Sequence, residues 1–77
     1  MATQYPIKKV DRIIIAERLR NARAKAGLTQ HQVSVRSDVP VSAICAIEQH
    51  RRSLGLDVFY RMCQALGLSM DETIKGG

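Results

Sequence analysis

The stretch TQHQVSVRSDVPVSAICAIE, Thr29 to Glu48, decides how this chain folds. Thr29-x-x-Gln32 has the form of a capping box, in which a hydroxyl caps a new helix and an amide side chain reaches back. Val33 follows as the first buried position, and Ser34 is small enough for a second helix to cross closely. Asp38 stands where a short helix has to stop and turn, and Asp tolerates a left-handed backbone better than most non-glycine residues. Pro40 disfavours helical geometry at Val39 and has no N–H to lose at a helix start. Ile44 and Ile47, spaced i and i+3, give the second helix an apolar stripe.

A cap, a small crossing residue, a breaker and a proline start describe a helix-turn-helix, with helices near 30–37 and 41–49. Upstream, Asp11 reads as the cap of a helix from Arg12 to about Lys25, which Gly27 terminates. Its buried stripe is expected at Ile15, Leu19, Ala22 and Ala26. Ile13 and Ile14 do not fit that stripe and are left to pack against the N-terminal arm, the C-terminal segment or a second subunit. Downstream, His50-Arg51-Arg52-Ser53 is a basic loop. A fourth helix spans Leu56 to Leu66, with Asp57 favourably placed in its first turn, and buries Phe59, Met62, Cys63 and Leu66 before Gly67. Ser69-x-x-Glu72 is a second capping box opening a short last helix through Ile74. No segment alternates like a strand between turn signals. The expectation is an all-α, compact five-helix domain over residues 11–75, preceded by an arm at 1–10 that is either disordered or short and extended.

With 77 residues, 45% of them apolar, the chain makes one domain with a small core. Its net charge of +5 is unevenly placed. Residues 1–52 hold ten Lys/Arg against four acids, and residues 53–77 hold two against three. A basic front and a near-neutral back suit a module presenting one face to a polyanion, with an ordinary solvated surface as the plain alternative. No apolar run approaches the roughly 18 residues of a membrane span, and Ile13-Ile14-Ile15 is too short for a signal-peptide core, so a cytoplasmic location is expected. Cys45 and Cys63 lie in helical patterns among apolar neighbours. Buried reduced thiols are expected there, with a disulfide as the alternative. Cys45, His50 and Cys63 lack paired zinc-ligand spacing. No Ser/His/Asp cluster, glycine-rich phosphate cradle or carboxylate pair stands out, so the expectation is no metal, no cofactor and no enzyme activity.

These residues resemble the lambda-repressor-like, XRE-type helix-turn-helix family over about residues 13 to 74. The resemblance is carried by Leu19, Arg23, Gly27-Leu28-Thr29-Gln30, Val33, Val39, Ile44 and Ile47-Glu48. Ala65-Leu66-Gly67-Leu68-Ser69, followed by Asp71-Glu72, completes it at the right distances. There are departures. Ser34 replaces the usual Ala, Asp38 the usual Gly, Ser37 an apolar residue, His50 the loop glycine, and Leu54 a common proline.

The resemblance implies a lambda-repressor-like domain whose helix-turn-helix is formed by helices 2 and 3. It implies sequence-specific binding of double-stranded DNA by a homodimer, in the manner of phage, plasmid or bacterial repressors acting on an inverted-repeat operator. The second helix of the pair then enters the major groove. By position, the base readers are Val41, Ser42, Ala43 and Ala46, with Gln49 near the helix end. Gln30 falls where the family contacts phosphate and braces the reading helix. The family also pairs the residues at Arg23 and Glu48, and Glu48, next to buried Ile47, needs such a partner.

The reading helix has no Arg, Lys or Asn in its first two turns. The strong Arg–guanine and Asn–adenine contacts are therefore out of reach between Val41 and Ala46, leaving the Ser42 hydroxyl and packing on thymine methyls. Arg51 and Arg52 are expected to hold phosphates from the loop, and Lys8 and Lys9 are candidates for a minor-groove arm. The last helix and tail, with Leu68, Met70 and Ile74, are the expected dimer surface. A reading from another class is a protein-interaction module, such as an antitoxin or phage/plasmid accessory protein with a degenerate helix-turn-helix. Such a protein is expected to carry a long partner-binding tail, and the chain's end at Gly77 is read as favouring the regulator.

Overall fold

The computed structural model describes residues 9–75, with side chains from residue 12 onward. Five helices follow one another: α1 (Lys9–Lys25), α2 (Gln30–Ser37), α3 (Val41–Glu48), α4 (Leu56–Leu66) and α5 (Met70–Lys75). The fold is all-α, as expected. α1 differs at its start, since Lys9 and Val10 are helical rather than part of an arm. Asp11 consequently lies inside the helix instead of preceding it as a cap. The remainder of the expected arm, Lys8 included, lies outside the described residues.

The core collects one stripe from each of the first four helices. Ile15 and Leu19 of α1, Val33 of α2, Ile44 and Ile47 of α3, and Phe59, Met62 and Cys63 of α4 are all essentially sealed from solvent. Each large side chain so buried is worth roughly 1.5–3 kcal/mol before entropy is counted. The α1 stripe is Ile15, Ala16 and Leu19 rather than a line running on to Ala26. Ala26 falls in the turn after the helix and is exposed, and Ala22 is half-buried. Ile13 and Ile14 remain 37% and 39% exposed. Leu68, Met70 and Ile74, the expected dimer residues, lean against this chain's own core.

Three helices end by one device. After α1, Gly27 is left-handed at φ +72 and the Leu28 N–H donates to the Arg23 carbonyl at 3.1 Å. After α4, Gly67 (φ +69) and a 2.8 Å bond from the Leu68 N–H to the Cys63 carbonyl repeat it. After α3, the left-handed residue is His50, at φ +61, and the Arg51 N–H donates to the Ala46 carbonyl at 2.8 Å. This is the Schellman arrangement, and His50 occupies it without the freedom of glycine. His is among the residues that enter this region most readily after Gly.

Candidate nucleic-acid interface

The unit is built by local chemistry first. The Thr29 hydroxyl accepts the Gln32 N–H at 3.1 Å, and the Gln32 side chain accepts the Thr29 N–H at 2.8 Å. That closes the capping box and starts α2. α2 ends at Asp38, left-handed at φ 60, whose N–H donates to the Ser34 carbonyl. Ser37, where the family pattern has an apolar residue, is buried. Its hydroxyl donates to the Val33 carbonyl at 2.6 Å and accepts the Val39 N–H at 3.2 Å. The polar atom is thus satisfied in both roles and supplies the turn with a partner for a buried N–H. Val39 is sealed in the core, and α3 departs from Pro40 without any side-chain cap.

α3 turns Ala43, Ile44, Ile47 and Glu48 inward. Val41, Ser42 and Gln49 are exposed, while Cys45 and Ala46 are half-buried. Ala43, expected among the base readers, is only 3% exposed and packs in the core, because it shares the inward face with Ile47 one turn later. Cys45, expected in the core, is instead half-buried beside the outward face. It stands four residues after Val41, three after Ser42 and four before Gln49, a spacing that puts all four on one side of a helix. That spacing is legible in the sequence, where the apolar character of cysteine argues the other way. Cys45 and Cys63 are both free thiols, so no disulfide joins them. Burial pushes the Cys63 thiol up from its ordinary pKa.

The inner end of α3 is tied to the rest of the domain through one carboxylate. Glu48, 5% exposed, accepts the Arg23 Nε–H at 2.8 Å on one oxygen and the Arg23 NH2 group at 2.9 Å on the other. Gln30 donates to it as well, at 3.0 Å, and Arg23 also holds the Leu28 carbonyl at 2.9 Å. Burial pushes the Glu48 carboxyl up. The hydrogen bonds from Arg23 and Gln30, with the charges of Arg23 and Arg20, outweigh it and hold Glu48 below its ordinary range. The same hydrogen bond raises Arg23. Gln30 is therefore seen here in the bracing arrangement, with its amide nitrogen on Glu48 at the start of α2. Beyond α3, Arg51 and Arg52 are exposed. Arg51 donates to the Gln49 amide oxygen at 2.9 Å, which steers both side chains along the end of the helix.

The outward surface therefore carries one hydroxyl, one amide, one thiol and small apolar groups, with two guanidiniums beyond the helix C-terminus. A hydroxyl can donate to or accept from either kind of base edge, and small apolar groups fit a thymine methyl. Among the described residues no group of three or more His, Cys, Asp or Glu is placed to hold a metal ion. Among them, too, no helix is long and apolar enough to cross a membrane.

Known proteins place this arrangement in context. Among solved structures, the restriction-modification controller protein C.AhdI from Aeromonas hydrophila superposes with a TM-score of 0.77 at 25% identity, over 83% of this chain and 97% of that one. The clp gene regulator ClgR from C. glutamicum matches with a TM-score of 0.77 at 25% identity, over 84% of each chain. A hypothetical transcription factor, NHTF, from Neisseria shares the fold at 21% identity and a TM-score of 0.76, over 96% of this chain and 85% of its own. No curated protein is similar enough in sequence to match. A family model described as a helix-turn-helix domain matches residues 14–74, from Ile14 in α1 to Ile74 in α5, and the chain belongs to that family.

Proposed function

We propose that this protein is a sequence-specific DNA-binding transcriptional regulator, a homodimeric repressor that reads an inverted repeat in the cytoplasm. The observation that carries this reading is the outward face of α3. Its buried residues lie on the opposite face, which leaves Val41, Ser42 and Gln49 exposed to a partner with Ala46 half-buried among them. In this reading Ser42 supplies hydrogen bonding to a base edge, and Val41 and Ala46 pack on thymine methyls. Arg51 and Arg52 hold backbone phosphates. Gln30 stays on Glu48 and positions the helix. C.AhdI is named a controller protein and ClgR a gene regulator, and a regulatory role here agrees with both. In a two-fold dimer the two α3 helices stand about 34 Å apart, one turn of duplex.

Selection of bound sequences from random duplex DNA, at two salt concentrations, tests the reading. Enrichment of an inverted repeat at both is the expected result. Arg51→Ala should then weaken all selected sites alike and lower the slope of log affinity against log salt by about one. Binding that falls steeply with salt and yields no motif would overturn sequence-specific reading. It would leave a helix-turn-helix module that meets proteins instead.

A further inference from the structure

A cleft of about 170 Å³ lies between the first half of α1 and the loop after α3. Its floor is apolar, made by Ala16, Ile47 and Leu54, and Ile13 forms one wall with a third of its surface still exposed. Arg12, Arg51 and Arg52 line it as well, with His50 beside them. Glu17 stands behind His50, its Oε2 3.4 Å from Nε2. Three arginines and no acid line the depression, so an anion placed there meets complementary charge. Guanidiniums also match carboxylate and phosphate oxygens two at a time. A bare phosphate needs no apolar floor. A cavity of roughly 150 Å³ takes up benzene, so the whole cleft, at about 170 Å³, has room for a single ring over this floor.

We propose that this cleft binds a small organic anion, a carboxylate or phosphate monoester on a ring-sized apolar body, and that the bound anion loosens the protein's hold on DNA. The second half rests on the reading of Arg51 and Arg52 as backbone contacts, since the anion and the backbone then compete for the same two side chains. The first half does not rest on it.

The test uses the full chain and phenyl phosphate, followed through backbone amide resonances, with inorganic phosphate and phenol as controls. Saturable shifts at residues 12–16, 47 and 50–54 are expected, with phenyl phosphate binding on the order of tenfold more tightly than inorganic phosphate because its ring is buried. Arg12→Ala should weaken both anions. Ile13→Ala should weaken phenyl phosphate alone. Both side chains are at least partly exposed, so each variant should fold. Equal affinity for the two anions, or binding indifferent to Arg12→Ala, would overturn the site. On duplex DNA at low salt, phenyl phosphate should raise the apparent Kd of the wild type, and the same concentration should raise that of Arg12→Ala less. DNA affinity that stays constant at saturating phenyl phosphate would overturn the antagonism. Because the first titration contains no DNA, its result is independent of whether any operator exists.

Discussion

α2 and α3 are each eight residues long and pack side by side, yet they are held by different means. α2 carries its own instructions: a complete capping box at Thr29 and Gln32, and a left-handed stop at Asp38. α3 has no side-chain cap, no acid in its first turn and no base in its last. Half of its residues are buried, and its final carboxylate is held by Arg23 of α1 and Gln30 of α2. Isolated helices this short are marginal in water, so α3 depends on tertiary contacts for its geometry. The benefit is freedom of composition. A helix supported wholly from one side can change its other side without losing its place.

The contrast can be broken most directly at Glu48. Arg23→Ala strands the buried Glu48 and should cost roughly 3–5 kcal/mol in thermal or denaturant melts, while Glu48→Ala leaves a partly exposed Arg23 that still holds the Leu28 carbonyl and should cost less. Midpoints unmoved in both variants would mean that α3 is not held by this pair. The same carboxylate makes the contrast sensitive to acid. Its pKa is lower folded than the ordinary 4.5, so its contribution is complete above that value and is lost as pH falls through the folded pKa. Melts taken from pH 7 down to pH 3 should show this loss, and the profile of Glu48→Gln should be flatter over the same interval.

A smaller effect is expected at the joint between the two helices. Ser37→Ala removes the acceptor of the buried Val39 N–H, and an orphaned buried donor costs about 1–3 kcal/mol. Thr29→Ala, which removes only a local cap, should cost about 1 kcal/mol, and faster amide exchange should be confined to the first turn of α2. The smallest effect sharpens the comparison most. Ser42→Ala should leave stability within about 0.5 kcal/mol while altering the base preference found by selection. A stability loss several times larger would show that the outward face also supports the fold.

Legibility in the sequence followed the same division. Features made by neighbours along the chain were readable, including the limits of α4, the box at Thr29 and the left-handed Asp38. Features set across the fold were less so. Ala43 and Cys45 exchange their expected places because side-chain size and polarity suggest one thing and helical register another, and register wins once Ile44 and Ile47 fix the inward direction. Ser37 presents a hydroxyl to the core, and only the turn's geometry reveals the partners that make it welcome. The cleft beside Arg12 joins residues roughly forty positions apart, and no local pattern announces it.

One contact at the far side of the domain bears on how the molecule is made. Arg18 of α1 donates to the last carbonyls of α5, Thr73 at 2.6 Å and Ile74 at 2.9 Å, bridging 55 and 56 positions of sequence. α5, with six residues, is too short to persist alone. On the ribosome, where chains emerge N-terminus first, the guanidinium is ready long before its acceptors exist. Until residue 74 has emerged, the nascent domain lacks this latch, so stalling or cleavage just before Ser69 would release a chain that holds every element of the helix-turn-helix but keeps an open, protease-sensitive flank.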